Sequence, residues 1–92
     1  MRIVYTDEAL RDLDEILTFL AVEYPMVVRP FEIRLASVVR RIGGWPKSAE
    51  EVEQRPGVHA VPLIRYPYRV FYRIGDNTVE ILHIHHAARQ AS

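Results

Sequence analysis

Arginine recurs at 65, 69 and 73, histidine stands at 83, 85 and 86, and Arg89 follows closely. Guanidinium groups bind carboxylates and phosphates through a planar fork of donors. Imidazole titrates near neutrality and can give or take a proton there. Gathered in one short stretch, these groups point to a surface that binds an acidic protein segment or a nucleic-acid phosphate. Each also has a plainer use. The three arginines could pair with helix glutamates on a sheet surface, His83 could be a strand residue with a satisfied hydrogen bond, and His85 and His86 could be polar residues at a strand end. His83 and His85 share a face at i, i+2, as zinc ligands can. No carboxylate or cysteine stands near them in sequence, so neither a metal nor a cofactor is expected.

The elements that must position these groups are read from periodicity. Residues 68–74 and 79–85 alternate as strands about a Gly75-Asp76-Asn77 turn, forming a β-hairpin. A strand near 58–64 precedes it across Tyr66-Pro67. In 68–74, Tyr68, Val70, Tyr72 and Ile74 point one way, towards a core, and Arg69, Phe71 and Arg73 the other. Val79 to Ile84 is apolar on both faces, which predicts cover on two sides and makes a partner chain a candidate for the second.

Upstream, residues 2–5 form a short strand. Thr6 is placed to cap a helix over about 7–22, with Asp7 and Glu8 at its positive end. Leu10, Leu13, Leu17 and Leu20, supported by Ile16 and Phe19, give its apolar stripe. Tyr24-Pro25 ends it. Phe31, Leu35, Val38 and Ile42 mark a second helix, stopped by Gly43-Gly44. That helix starts either at Pro30 or near Pro25 with one backbone bond lost. Trp45-Pro46 leaves the helical hairpin, with Trp45 as its cap. Ser48 to Glu51 has capping-box spacing for a short helical turn. The resulting fold class is α+β: an antiparallel helical hairpin on a twisted antiparallel sheet of about four strands, in the order β-α-α-β-β-β.

Ninety-two residues, half of them hydrophobic and a quarter charged, make one domain spanning 1–92 with a single modest core. The absence of cysteine excludes a disulfide framework and suits a reducing compartment. The N-terminus turns polar too early for a signal peptide and no run reaches membrane-spanning length, so a cytoplasmic protein without membrane contact is expected. Charge is balanced, 12 basic against 12 acidic residues, which argues against tight indiscriminate nucleic-acid binding. It is unevenly spread: Thr6 to Glu23 holds six acidic residues and one arginine, while Val58 to Ser92 holds four arginines and all four histidines against Asp76 and Glu80.

Several motifs in order resemble the RelE/ParE superfamily of toxins from type II toxin–antitoxin modules, with a texture closest to the ParE-like branch. They are Tyr5-Thr-Asp-Glu-Ala-Leu-Arg-Asp-Leu13, the helical hairpin with its Trp45-Pro46 exit, Pro56-Gly-Val58, Tyr68-Arg-Val-Phe-Tyr72, and Val79-Glu-Ile-Leu-His-Ile with its trailing histidines and Arg89. The resemblance implies the fold already deduced. It also implies a cognate antitoxin, ParD-like in this branch, that neutralises the toxin in a hetero-oligomer.

The superfamily divides over target. ParE-like members inhibit DNA gyrase without a catalytic activity of their own, whereas RelE-like members cleave messenger RNA on the ribosome. Of the positions that RelE-like enzymes use, Arg69 and Arg89 are matched. Ala60-Val61-Pro62 stands where lysines would fall, and no tyrosine follows Arg89. The expected target is therefore gyrase, contacted through Arg65, Arg69, Arg73, His86 and Arg89. The alternatives are a ribosome-dependent nuclease that uses Arg69, His83, His85, His86 and Arg89, and a non-toxic relative that only binds antitoxin.

Overall fold

Thr6 joins the first strand, the first helix and the last strand. Its Oγ1 accepts the Ala9 N–H at 3.1 Å, the N-cap bond expected of it. The same hydroxyl lies 3.0 and 3.1 Å from the carbonyl oxygens of Ile81 and Leu82, which share its one donated proton. The computed structural model describes residues 1–88. Within them run β1 (Arg2–Tyr5), α1 (Asp7–Glu23), a 3₁₀ turn (Pro25–Val27), α2 (Val28–Gly44), a second 3₁₀ turn (Pro46–Ser48), β2 (Val58–Pro62), β3 (Tyr68–Gly75) and β4 (Thr78–His86).

α1 buries Ala9, Ile16 and Leu20 and partly buries Leu13 and Leu17. Leu10 and Phe19, expected in that stripe, are each half exposed. Both prolines before α2 are accommodated. Pro25 opens the 3₁₀ turn, and Pro30 falls in the first turn of α2, where its missing N–H would have had no helical partner. Trp45 caps α2 through its backbone N–H, 2.8 Å from Arg41 O, while its side chain stays exposed. No helical turn opens at Ser48. That residue closes the second 3₁₀ turn, Ala49 is extended, and Glu51 makes a bridge to His59.

The sheet order is β1-β4-β3-β2. β2, β3 and β4 pair antiparallel as expected, but β1 pairs parallel to β4, from Arg2 opposite Thr78 to Tyr5 opposite Ile81. The sheet is therefore mixed and not wholly antiparallel. A parallel pair requires a long crossover, and everything between β1 and β4 supplies it.

β4 contains a bulge. Phe71 pairs with His83 but Tyr72 with Ile81, so Leu82 is the extra residue. Val79, Ile81 and Ile84 consequently join the main core with Phe31, Leu35, Val70 and Tyr72, on the helix side. Leu82 instead packs with Phe71 and Val58 on the opposite face, with Val52 and Ala60 against them. The apolar residues on both faces of this strand thus find partners within the chain. Backbone bonds from Val52 N to Val58 O (2.7 Å) and from Ala60 N to Glu50 O (3.1 Å) hold the covering segment in place. The strand by itself therefore gives no argument for a partner chain.

Candidate functional site

β1 ends at Tyr5, so beyond Ile81 the outer edge of β4 has no neighbouring strand; α1 runs there instead. Asp12 Oδ2 accepts the Ile84 N–H at 3.0 Å, replacing a ladder bond with a side chain 72 residues away in sequence. Because of the bulge, His83 and His85 share the face of Phe71 and sit beside this carboxylate. His83 Nδ1 is 3.4 Å from Glu8 Oε2 and 3.7 Å from Asp12 Oδ2, and His85 Nε2 is 3.6 Å from Asp12 Oδ2. The two imidazoles lie 4.6 Å apart between ring centres, and His85 also leans on Phe71 at 5.6 Å. Two imidazoles and the Asp12 carboxylate are partly buried together with the exposed Glu8 carboxylate beside them, a set of donors able to share a cation.

The arginines separate. Arg69 lies on the Phe71 side of the sheet with its guanidinium 5.2 Å from the Phe71 ring centre, a cation–π geometry. Arg73 reaches Glu80 Oε1 through Nε at 3.2 Å and a terminal nitrogen at 3.0 Å. Its partner is thus a neighbouring-strand glutamate, not one from a helix. Arg65 sits in a turn closed by Tyr66 N to Leu63 O at 2.8 Å, with φ of 81°. That left-handed position favours glycine, and an arginine held there, exposed, costs about 1 kcal/mol or more. His86 points away from the other two histidines. Its Nδ1 accepts the Ala88 N–H at 3.1 Å, its ring meets Tyr68 edge-on, and it lines a shallow recess with Asp12, Glu15 and Phe19. Arg89 lies outside the described residues.

Two features escaped the sequence reading. Glu8 and Asp12, one helical turn apart, belong to the acidic stretch from Thr6 to Glu23, for which no partner was named. Their signal was the pairing of that acidic helix with a histidine-rich strand. The second feature is a groove of about 580 Å³ between α2 and β2, lined by Arg34, Ser37, Arg41, Ile64 and Arg69 and also by Glu50 and Glu51. Arg34, Ser37 and Arg41 recur at helical spacing and could have been read as one stripe. Large apolar side chains are also exposed at the joint of the two helices, with Val22 73% and Met26 88% accessible.

Burial raises the hydroxyl pKa of both Tyr5 and Tyr72 above the ordinary tyrosine value. Tyr72 donates to Pro46 O at 2.5 Å, and His59 stacks on its ring and bonds Ala49 O through Nδ1 at 2.8 Å. These groups hold the core and the β2 flank together, away from the histidine edge. Among the described residues, no helix is long and apolar enough to cross a membrane.

Residues 3–91 match the family described as the ParE toxin of the type II toxin-antitoxin system, parDE. Among solved structures, the chain is similar to one from the chromosomal ParDE TA system of P. aeruginosa, at 24% identity and a TM-score of 0.81, covering 94% of this chain and 95% of that one. It is also similar to the YoeB/ParE toxin from Agrobacterium tumefaciens, at 16% identity and a TM-score of 0.65, covering 94% and 98% of the two chains. A YoeB dimer from Staphylococcus aureus follows at 13% identity and a TM-score of 0.60, covering 90% and 92%. These similarities establish the fold of two helices on a four-stranded sheet. A search of curated proteins finds no match.

Proposed function

We propose that this chain, which belongs to the ParE toxin family of type II toxin–antitoxin systems, inhibits DNA gyrase in the cytoplasm when free of its antitoxin and catalyses no reaction of its own. The observation that carries this reading lies on β2 beside Arg69. Ala60 faces Phe71 in the small apolar cluster, Val61 packs against the core, and Pro62 is opposite Arg69. Cleavage of RNA through its 2′-hydroxyl needs an acid, a base and cations gathered round the scissile phosphate. The strand where further cations would stand carries none there: Ala60 and Val61 are partly buried against apolar neighbours, and the exposed residue beside Arg69 is Pro62.

Target contact is assigned to Arg65, Arg69, Arg73, His86 and Arg89, with Arg69 first among them. Arg73 is already engaged by Glu80, so it has less to offer a partner. A cognate, ParD-like antitoxin is proposed to lay an acidic and apolar segment into the groove beside α2, where Arg34, Arg41 and Arg69 meet Ile64. Occupying that groove would hide Arg69 from the target and so couple binding to neutralisation.

One observation favours a second reading, the ribosome-dependent nuclease. His83 and His85 both lie within 3.7 Å of the Asp12 carboxylate, on the same side of the sheet as Arg69. A paired imidazole there could serve as acid or base.

The deciding experiment is a gyrase supercoiling and cleavage assay with folded, antitoxin-free protein. Inhibition with accumulation of cleaved plasmid is expected, weakened about tenfold or more by Arg69→Ala, the worth of one charged hydrogen bond. An inert protein in that assay, together with mRNA cleavage on ribosomes lost in His85→Gln, would replace the first reading by the second.

A further inference from the structure

The expectation of no metal rested on the lack of a carboxylate near the histidines in sequence, and the fold supplies two. Asp12, His83 and His85 each offer a ligand atom, and these atoms all lie within 4.8 Å of one another. We propose that Asp12, His83 and His85, with Glu8 as an outer fourth donor, form a binding site for a divalent transition-metal ion of the zinc class.

The separations suit such an ion. Metal–ligand bonds of about 2.0–2.1 Å in a tetrahedron place neighbouring donors about 3.3 Å apart. Here His83 Nδ1 to Glu8, His83 Nδ1 to Asp12 and His85 Nε2 to Asp12 are 3.4, 3.7 and 3.6 Å. Contraction by a few tenths of an ångström brings these three pairs to that spacing, and the two imidazole donors start no more than 4.8 Å apart. Two imidazoles and a carboxylate suit zinc, nickel or copper, whereas calcium and magnesium require oxygen donors.

The site is also supported from behind. The bulge at Leu82 turns His83 out of the core, since unbroken alternation from Ile81 would have aimed it at the helices. The Ile84 N–H holds the Asp12 carboxylate in orientation, the kind of outer-sphere bond that metal ligands use. Side-chain exposures of 19%, 24% and 32% for His83, Asp12 and His85 leave the ion a path from solvent without stripping it wholly of water. Arg11, Arg55 and Arg73 line the recess next to His83 and oppose a cation there, so micromolar rather than tighter affinity is expected. Binding would staple α1 to the free edge of β4. It would also remove two negative charges from the face that carries Arg69. The proposal does not depend on which target the protein has.

The test uses the untagged, metal-stripped chain titrated with Co²⁺ alone and read by visible absorption. One equivalent of cobalt with intense tetrahedral bands, displaced by Zn²⁺, is expected. His83→Gln and His85→Gln should each weaken it by at least the roughly 10- to 100-fold that loss of an outer-sphere partner causes elsewhere. His86→Gln should leave it unchanged. Only the weak bands of hydrated cobalt, or equal uptake by the His83 and His85 variants, would overturn the site. Imidazole ¹H–¹⁵N spectra of the wild-type chain give the same answer without a substitution. Zn²⁺ should move the rings of His83 and His85 and leave His59 and His86 in place. Unmoved His83 and His85 rings would overturn the proposal even if a variant failed to fold.

Discussion

From Thr78 to Ile81, β4 lies between β1 and β3 with Val79 and Ile81 fully buried, whereas from Leu82 to His86 it has β3 on one side and the side chains of α1 on the other. The first half satisfies its backbone by ladder bonds and its side chains by apolar packing. The second half satisfies its outer edge with a hydroxyl from Thr6 and a carboxylate from Asp12. An unpaired strand edge must be covered, and covering it with polar side chains draws ionisable groups together. The toxin scaffold can thus hold a cluster of ionisable groups a few ångströms from its core without burying an unpaired charge. The bulge at Leu82 is the boundary between the two halves.

The largest effect should come from the dry half. Ile81 is fully buried and pairs with both Tyr5 and Tyr72, so Ile81→Ala should remove about 2–5 kcal/mol of stability in a urea titration. His85→Ala, at the polar edge, should cost far less. Comparable losses from the two would show that the halves are not energetically distinct.

A smaller loss should follow Asp12→Ala. The Ile84 N–H would keep its place beside a nearly buried residue and lose its acceptor, at a cost of about 1–3 kcal/mol. Hydrogen exchange localises the effect. The Ile84 amide should exchange faster, while the Val79 and Ile81 amides, held by strand ladders, should follow global unfolding only. Uniform acceleration along β4 would mean that the carboxylate supports the whole strand and not its outer half.

What could be read from the sequence divides along the same line. Thr6 as a cap, α1 ending at Glu23 against an expected 22, and the alternation of β3 all rest on periodicities within a few residues. The bulge is a property of register between two strands, and nothing inside Ile81-Leu82-His83 announces it. Without it the histidines were assigned no carboxylate partners and the strand was given an uncovered face. For Arg73 the plainer alternative named helix glutamates, because its cross-strand neighbour Glu80 depends on the hairpin register. The parallel pairing of β1 and the bond from Asp12 to Ile84 join opposite ends of the chain, where local pattern carries no information. The candidate site was therefore half legible: its imidazoles and Arg69 from composition, its carboxylates only from the fold.

The smallest effect sharpens the comparison through pH. Tyr5 and Tyr72 both pair with Ile81, and burial raises both hydroxyl pKa values above the ordinary 10.0. As pH rises past that value the unfolded chain gives up these protons while the native chain keeps them. The unfolded state then binds fewer protons, and stability falls with pH. The contribution is thus complete below about pH 10, the unfolded value, and is lost as pH climbs through the raised native values. Urea midpoints measured from pH 8 to 11 should stay level and then drop. Tyr5→Phe should flatten the drop without disturbing the Tyr72 bond to Pro46, and an additional Tyr72→Phe should flatten it further. An unaltered alkaline drop in the double variant would place its origin outside the dry half of β4.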